Sequence, residues 1–175
     1  MDNIELDLCL KKFNKGDMDA FSEIYQELKI PIYTIIYRIL YDRPMSEDVM
    51  QEVFIKLYNK PPSLQIENPR AYIFQMARNL AIDNKRKLKE SEPLSHKTES
   101  NGISIEYSVN TRLDLESALE NLKLEDREIV TLHLNANLKF REIAKVIDKP
   151  LGTVLWRYQK SIKMLADILS GGEYQ

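Results

Sequence analysis

The chain has 175 residues and carries 25 Lys and Arg against 27 Asp and Glu, a formal net charge of −2. A hydrophobic share of 43% and a charged share of 30%, with only 5 Gly and 7 Pro, favour a helical globular protein and exclude a turn-rich β fold. A single cysteine, Cys9, excludes an intramolecular disulfide and fits a reducing cytoplasm.

Signals for membrane insertion and catalysis are missing from the sequence. The N-terminal MDNIELDLCLKKF lacks the order of a signal peptide, and the longest apolar run, IPIYTIIYRILY, is too short to span a bilayer. The two histidines, His96 and His133, cannot form a familiar zinc cluster with one cysteine, and no Gly-rich phosphate loop or Gly-x-Ser-x-Gly occurs. We expect a protein without cofactor, although acid–base catalysis by carboxylates stays open at this point.

Charge is distributed unevenly along the chain. Residues 1–89 hold 14 Lys and Arg against 13 Asp and Glu, and residues 112–175 hold 10 of each sign. Between them, residues 90–111 are polar, rich in Ser and Glu, and lack periodicity, so they are predicted to form an acidic linker. We therefore expect an all-α fold with two small helical domains joined by a flexible linker. One domain with a long surface loop is the alternative.

The first domain begins with KGDMDAFSEIYQEL, in which five apolar residues recur at helical spacing: Met18, Phe21, Ile24, Tyr25 and Leu28. A separate helix, PIYTIIYRILY, follows; it is apolar nearly all round and is predicted to be central.

The next helix, RPMSEDVMQEVFIKLYN, is predicted to start with Ser46 as N-cap. Its expected buried stripe comprises Val49, Val53, Phe54 and Leu57. Asp48, Gln51, Glu52 and Ile55 share another face, which chemistry alone favours as an ordinary solvated surface.

The fourth segment, NPRAYIFQMARNLAIDNKRK, is predicted to be a helix with an apolar side and a polar side. The apolar side comprises Ile73, Phe74, Met76, Ala77, Leu80 and Ala81. The polar side comprises Tyr72, Gln75, Asn79 and Arg86, with Arg78 and Lys85 flanking them. Cations interleaved with a ring and amides suit a single nucleic-acid strand, but a basic, solvated helix end fits equally well.

The second domain has the outline of a helix-turn-helix. Helices are expected at Leu115–Leu122, Glu125–Leu134 and Phe140–Ile147, and a last helix from Pro150 follows the turn Asp-Lys-Pro. Its inner positions are Val154, Tyr158, Ser161 and Leu165, and its outer positions are Thr153, Trp156, Arg157 and Lys160. Such an outer face suits the major groove, although helical hairpins that bind no DNA look similar.

Three segments in this order, SEDVMQEVFIKLY, NPRAYIFQMARNLAIDNKRK and LKFREIAKVIDKPLGTVLWR, resemble the extracytoplasmic-function sigma factors, the small two-domain branch of the sigma-70 family. The resemblance implies a promoter-specificity subunit of RNA polymerase, with partners in core RNA polymerase (the β and β′ subunits), promoter DNA and an anti-sigma factor.

The resemblance also implies roles for particular residues. The candidates for core polymerase binding, on the β′ clamp helices, are Asp48, Gln51 and Glu52. The candidates for minus-ten DNA binding are Tyr72, Gln75, Arg78, Asn79 and Arg86, and the preceding loop PPSLQIE is expected to help form a pocket for a flipped base. The candidates for minus-35 DNA binding are Arg141, Thr153, Trp156, Arg157 and Lys160.

The second domain departs from the family pattern. Asp148 stands where the turn usually has Gly, Leu155 and Trp156 stand where Lys and Ser are typical, and Ile162 replaces a later basic residue. The predicted DNA face of the second domain is therefore less basic than the family pattern. For Trp156, contact with DNA and packing on a helix or partner protein both stay open. A stand-alone helix-turn-helix regulator is the alternative function, and a helical adaptor that binds only protein is a third.

Overall fold

The computed structural model describes residues 1, 3–62, 66–91 and 109–171, and the chain in these ranges forms eight helices and no strand. This confirms the predicted all-α class. The helices are α1 (Asn3–Phe13), α2 (Met18–Leu40), α3 (Arg43–Asn59), α4 (Pro69–Ser91), α5 (Val109–Glu120), α6 (Leu124–Leu134), α7 (Phe140–Ile147) and α8 (Leu151–Gly171).

Helix α2 joins two segments that the sequence analysis separated, so that prediction was wrong. Pro31 lies inside the helix, where proline normally breaks the backbone ladder. The helix continues because Ile24 and Leu28 before the proline, and Ile32 and Ile35 after it, are all fully buried. Packing of this continuous apolar stripe outweighs the local cost of the proline.

Met18 is a second correction, because it is 54% exposed instead of lying in the core. Asp17 caps α2 by accepting hydrogen bonds from the backbone N–H of Asp19 at 3.1 Å and of Ala20 at 3.2 Å. This cap fixes Met18 as the first helical residue, on the outer side of the first turn. The other predicted positions of the stripe are buried or half-buried, as expected.

Helix α3 starts four residues earlier than predicted. Asp42 is its N-cap and accepts a hydrogen bond from the Met45 N–H at 2.8 Å. Ser46 therefore lies inside the helix, fully buried, and its hydroxyl donates to the Asp42 carbonyl. The predicted apolar stripe from Val49 to Leu57 is confirmed as buried.

The second half of the chain has the predicted helix-turn-helix outline. Helix α7 has the predicted bounds, and α8 begins at Leu151, one residue after the predicted Pro150. The start of α5 at Val109 is six residues before the predicted Leu115. Three of the predicted inner positions of α8 are buried (Val154, Ser161 and Leu165), while Tyr158 is half-buried against the rings of His133 and Phe140.

The buried side chain of Arg127 stabilises the turn between α5 and α6. The guanidinium of Arg127 donates to the carbonyls of Leu119 at 2.8 Å, Glu120 at 2.9 Å and Leu122 at 3.0 Å. Leu119 and Glu120 are the last two residues of α5, whose carbonyls have no i+4 donor within the helix, and Leu122 lies in the turn that follows. The sequence analysis missed this role of Arg127.

Helices α1–α4 form one group and α5–α8 a second, and the two groups pack together through α2 against α6 and α4 against α7. One apolar cluster includes residues of both groups, among them Ile73 and Phe74 of the first and Ile129 and Val146 of the second. The predicted linker falls largely on residues 92–108, outside the described residues. The division into two domains therefore stays a prediction.

Asp148 is the C-cap of α7 and adopts a left-handed backbone conformation with φ 53°. We expect Asp148→Gly to raise the thermal midpoint, because glycine adopts this conformation without the cost of a Cβ atom. Asp148→Ala should lower the midpoint, with a difference of about 1 kcal/mol between the two variants. Calorimetric melting of both variants is the measurement. A higher midpoint for the alanine variant than for the glycine variant would contradict this account of the turn.

Candidate functional site

The acidic face of α3 is open to solvent. Asp48 and Gln51 are exposed, while Glu52 is half-buried and pairs with Lys56 at 3.1 Å. The neighbouring Ile55 is 58% exposed. A groove between α2 and α3 adjoins this face, and its lining includes Ile30, Tyr33, Met50 and Gln51. The combination of carboxylates and exposed apolar groups suits docking on a basic protein surface.

Helix α4 presents the predicted two sides. Its N-terminus is capped by Asn68, whose side-chain oxygen accepts from the Ala71 N–H at 2.9 Å. The apolar side is confirmed, with Ile73, Phe74, Ala77 and Ala81 fully buried and with Met76 and Leu80 partly buried against the same core.

The polar side of α4 is divided between solvent and the second group of helices. Tyr72, Asn79 and Arg86 are exposed. Gln75 and Arg78 are half-buried beneath α6 and α7, because both contact residues of those helices. The five candidates lie on one helix as predicted, but they are not equally accessible in this structure.

Arg78 is held by an acidic residue of α6. Its Nη2 lies 3.1 Å from Oε2 of Glu128, and the Glu128 side chain is 1% exposed. Burial raises the pKa of the Glu128 carboxyl above its ordinary value, although the positive charge of Arg78 acts in the opposite direction. Gln75 lies beside this pair along the helix, and its Nε2 contacts the Lys145 carbonyl of α7 at 3.5 Å.

Arg70, a cation near the start of α4, is buried and has a structural role. Its Nε donates to the Ala136 carbonyl at 3.0 Å and its Nη1 to the Met1 carbonyl at 3.0 Å. Burial lowers the pKa of its guanidinium from the ordinary value. Lys85 also makes a contact within the protein, because its ammonium donates a hydrogen bond to the Ile39 carbonyl. Phosphate contact therefore depends on fewer cations than the sequence indicates.

The outer face of α8 is less uniform than predicted. Trp156 is 59% exposed, and the Lys160 ammonium lies 5.2 Å from its ring centroid, a cation–π contact. Arg157 turns back to α6, where it pairs with Asp126 at 2.7 Å and Glu125 at 2.8 Å. Arg157 is therefore paired within the protein, and the hydrogen bond that it donates to the Asp126 carboxylate raises its pKa.

Thr153 and Arg141 complete the predicted set. Thr153 is half-exposed in the first turn of α8, and Arg141 is exposed on α7. The exposure of Trp156 argues against the alternative that it packs on a neighbouring helix of this chain. The loop predicted to hold a flipped base includes residues 63–65, which lie outside the described residues.

Sequence reasoning missed a polar cluster centred on Arg38 of α2. Its Nη1 donates to Thr131 Oγ1 at 3.1 Å and to Asn135 Oδ1 at 2.7 Å, and its Nη2 pairs with Glu116 at 2.7 Å. The available signal was a single cation inside the apolar run IPIYTIIYRILY. The sequence analysis used that run to argue against a membrane span and to predict a central helix, and it assigned no role to the cation. Among the described residues, no helix combines the length and apolarity needed to cross a bilayer.

Comparisons with known proteins agree on one family. Residues 24–91, which contain α3 and α4, match Sigma-70 region 2. The ECF RNA polymerase sigma factor SigW of Bacillus subtilis is 30% identical over 173 residues, covering 89% of this chain and 92% of the relative. The ECF RNA polymerase sigma factor SigM of the same organism is 28% identical over 154 residues, covering 83% and 94%.

Two solved structures share the fold over both groups of helices. The sigma factor RpoE in complex with the anti-sigma factor NepR from Bartonella quintana has a TM-score of 0.73 at 19% identity, covering 86% of this chain and 96% of that one. CnrH in complex with the cytosolic domain of CnrY has a TM-score of 0.67 at 18% identity, covering 95% and 98%.

The match to region 2 and the 30% identity to SigW over 89% of the chain confirm the resemblance seen in the sequence. The chain belongs to the extracytoplasmic-function RNA polymerase sigma factors of the sigma-70 family, which are transcription initiation factors and not enzymes.

Proposed function

We propose that this chain directs transcription initiation by docking on core RNA polymerase through α3, opening the minus-ten element with α4 and binding the minus-35 element with α7 and α8. The observation that carries the proposal is the construction of α4. Its apolar side anchors it in the helix bundle, while Tyr72, Asn79 and Arg86 stay exposed within the segment that matches region 2.

Docking on polymerase is supported by the chemistry of α3. Asp48 and Gln51 lie beside the apolar groove between α2 and α3, with exposed Ile55 on the same helix. An acidic and apolar surface is complementary to a basic coiled coil such as the β′ clamp helices of the family's polymerase. Glu52 can join this surface, because its ion pair with Lys56 is solvent-exposed and therefore weak enough to be exchanged for a partner's cation.

Strand contact is supported by the groups on α4. Arg86 supplies charge for phosphate, Tyr72 offers a ring for stacking and Asn79 can hydrogen-bond a base edge. Arg78 and Gln75 would join them once α6 and α7 move away. Because the two halves carry nearly balanced charge, non-specific affinity of the isolated chain for DNA is expected to be low.

Minus-35 binding is supported by the exposed groups of the helix-turn-helix. Trp156 and Lys160 lie together on the outside of α8, and Arg141 is exposed on α7. Arg157 contributes indirectly, because its pairs with Glu125 and Asp126 tie α8 to α6 and so orient the recognition helix. Thr153 is close to the start of the same helix, where side chains enter the groove.

An anti-sigma partner and a cytoplasmic location belong to the same proposal. The two structural relatives are complexes, one with the anti-sigma factor NepR and one with the cytosolic domain of CnrY. Several apolar side chains of α8 are exposed here, namely Leu155, Ile162, Met164, Ile168 and Leu169. Exposed apolar side chains on one helix are typical of a surface that binds a protein partner.

The proposal is tested by promoter binding with and without core polymerase. Core enzyme from the source organism and a library of promoter-length duplexes with randomised minus-35 and minus-ten elements are incubated with the chain at physiological salt. We expect enrichment of defined sequences, and run-off transcription from them, only when core polymerase is present. Tight, specific binding by the chain alone, without transcription, would favour the stand-alone regulator.

Mutations on different helices should distinguish docking on core polymerase from opening of the promoter. The Asp48→Arg/Glu52→Arg variant is expected to weaken core binding by at least about tenfold, or 1.4 kcal/mol, because it places cations against a basic surface. The control is Glu120→Arg/Asp167→Arg, which reverses the same charge at two exposed positions outside α3. Core pull-down is the measurement. Equal losses in both variants would mean a general charge effect and would remove α3 from the docking surface.

Asn79→Ala should have the opposite pattern. Asn79 is exposed on α4, a different helix from the acidic face of α3, so core binding is expected to match the wild type while open-complex formation falls. Permanganate footprinting of unpaired thymines measures the opening, beside the same pull-down. Wild-type footprints for Asn79→Ala would show that this residue does not contact the strand.

Trp156→Ala and Arg157→Ala should differ in what they change. For Trp156→Ala, we expect the free energy of binding at one minus-35 base pair to fall by about 1–3 kcal/mol. The melting temperature of the protein should not change. Loss of Arg157 is expected to lower stability by on the order of 1 kcal/mol, since it removes two ion pairs within the helix-turn-helix. Transcription from a minus-35 substitution library beside thermal melting distinguishes them. Unchanged promoter preference for Trp156→Ala, with lost anti-sigma binding, would assign Trp156 to a protein interface.

A further inference from the structure

The exposed side of the first half of α8 carries little charge for a recognition helix. Five residues between positions 151 and 160 are exposed, namely Gly152, Leu155, Trp156, Gln159 and Lys160. Lys160 is the only charged residue among them, and its ammonium lies 5.2 Å from the centroid of the Trp156 ring. Recognition helices that read guanine normally present arginine or lysine to the base edge. This face instead offers an aromatic ring with one cation beside it.

Two carboxylates of α6 bind two further cations of the helix-turn-helix. Arg157 pairs through Nη2 with Glu125 at 2.8 Å and through Nη1 with Asp126 at 2.7 Å. Lys149, in the turn before α8, pairs with the other oxygen of Glu125 at 3.3 Å. Both carboxylates lie in the first turn of α6, where the helix dipole stabilises negative charge. A guanine contact by Arg157 would therefore require both of its ion pairs to break.

Gly152 leaves open space one helical turn before Trp156. It is exposed in the first turn of α8, and within the described part of the chain a Cβ atom at this position would have no neighbour within 4 Å beyond the adjacent residues. Glycine stabilises a helix less than alanine does, and packing of the described residues gives no reason for glycine here. The missing side chain instead allows a surface outside the protein to approach the helix closely beside the Trp156 ring.

The major groove of DNA offers an apolar ring one partner of matching chemistry. The edges of the bases present hydrogen-bond donors and acceptors there, and thymine adds a C5-methyl group. Trp156 is 59% exposed, so contact with this methyl group would remove apolar surface of both partners from water. Lys160, beside the same ring, supplies positive charge for the DNA backbone.

We propose that Trp156 determines minus-35 specificity by reading the C5-methyl group of a thymine, in place of a guanine contact by a cation. The ring makes apolar contact with the methyl group, and Gly152 gives the groove room to approach. Lys160 contacts a backbone phosphate, while Arg157 stays paired with α6. The inference rests on the proposed function, because it requires that α8 binds the minus-35 element.

The space at Gly152 is tested by filling it. Gly152→Ala should melt at the wild-type temperature or above, because alanine favours the helix and its methyl group meets no neighbour in the described part of the protein. Its binding to the selected minus-35 element, in the complex with core polymerase, should weaken by at least about fivefold, since the methyl group obstructs close approach of the groove. Ser170→Ala, at an exposed position near the other end of α8, is the control. Wild-type promoter binding by Gly152→Ala would overturn the proposed position of Trp156 in the groove.

Methyl readout is measured by replacing single thymines with deoxyuridine, which removes the methyl group and keeps the base pair. The probes are duplexes with the minus-35 element selected by the complex of the chain with core polymerase, and competition binding to that complex is the measurement. At one or more minus-35 thymines we expect about fourfold weaker binding, the effect of losing one buried methyl group. Deoxyuridine in the spacer between the two promoter elements is the control and should have no effect.

Variants of Trp156 assign the effect to its ring. Trp156→Ala should bind the thymine and deoxyuridine probes equally, whereas Trp156→Phe, which keeps an aromatic ring without the indole N–H, should retain most of the difference. In the wild type, 5-methylcytosine at the same position should bind about fourfold more tightly than cytosine, because it restores the methyl group. Trp156→Ala should not distinguish these two bases.

Equal binding of thymine and deoxyuridine by the wild type at every minus-35 position would overturn the inference. The same holds if Trp156→Ala keeps the full deoxyuridine effect. In both cases, polymerase-dependent binding and transcription would still support the proposed function. Binding of the selected duplexes by the chain without core polymerase would overturn the proposed function, while the same probes would still measure the methyl contact. Absence of binding to any duplex would overturn both.

Discussion

The ion pair between Arg78 and Glu128 is the interaction on which the arrangement of this molecule depends. It joins the helix with the candidate strand-binding groups to the helix-turn-helix half, inside a boundary where the carboxylate is almost completely buried. Because a buried ion pair gains little over its desolvation cost, it favours the closed arrangement only while both partners are present. Arg38 reinforces the boundary with hydrogen bonds to Thr131 and Asn135 and an ion pair with Glu116.

The same constraint relates the structure to its family's task. The minus-ten and minus-35 elements lie about 25 base pairs apart, or ~85 Å along a duplex, whereas here α4 and α7 are in direct contact. One chain cannot bind both elements in this closed arrangement. The exposed face of α3 is unaffected by closure, so docking on polymerase can precede opening. Negative charge between the halves and nearly balanced charge within each half fit a protein whose affinity for DNA comes from the assembly.

The sequence predicted the features that depend on local periodicity. The buried stripes of α3 and α4, the bounds of α7 and the helix-turn-helix outline follow from helical spacing and caps, and the structure confirms them. Features that depend on distant partners were missed. Nothing local to Arg78 indicates Glu128, 50 residues later, and the bond from Arg70 to the Ala136 carbonyl spans 66 residues. The sequence analysis likewise placed two separate helices where packing keeps α2 continuous through Pro31.

The most direct test of this account is the distance between the two halves during initiation. Donor and acceptor dyes attached through Ser22→Cys on α2 and Lys163→Cys on α8, both exposed, report it by single-molecule energy transfer in a Cys9→Ala chain. We predict high transfer efficiency in the free chain and a fall to low efficiency when core polymerase and promoter DNA are added, together with transcription. Unchanged high efficiency in complexes that initiate transcription would contradict the account, since both promoter elements would then be engaged by a closed chain.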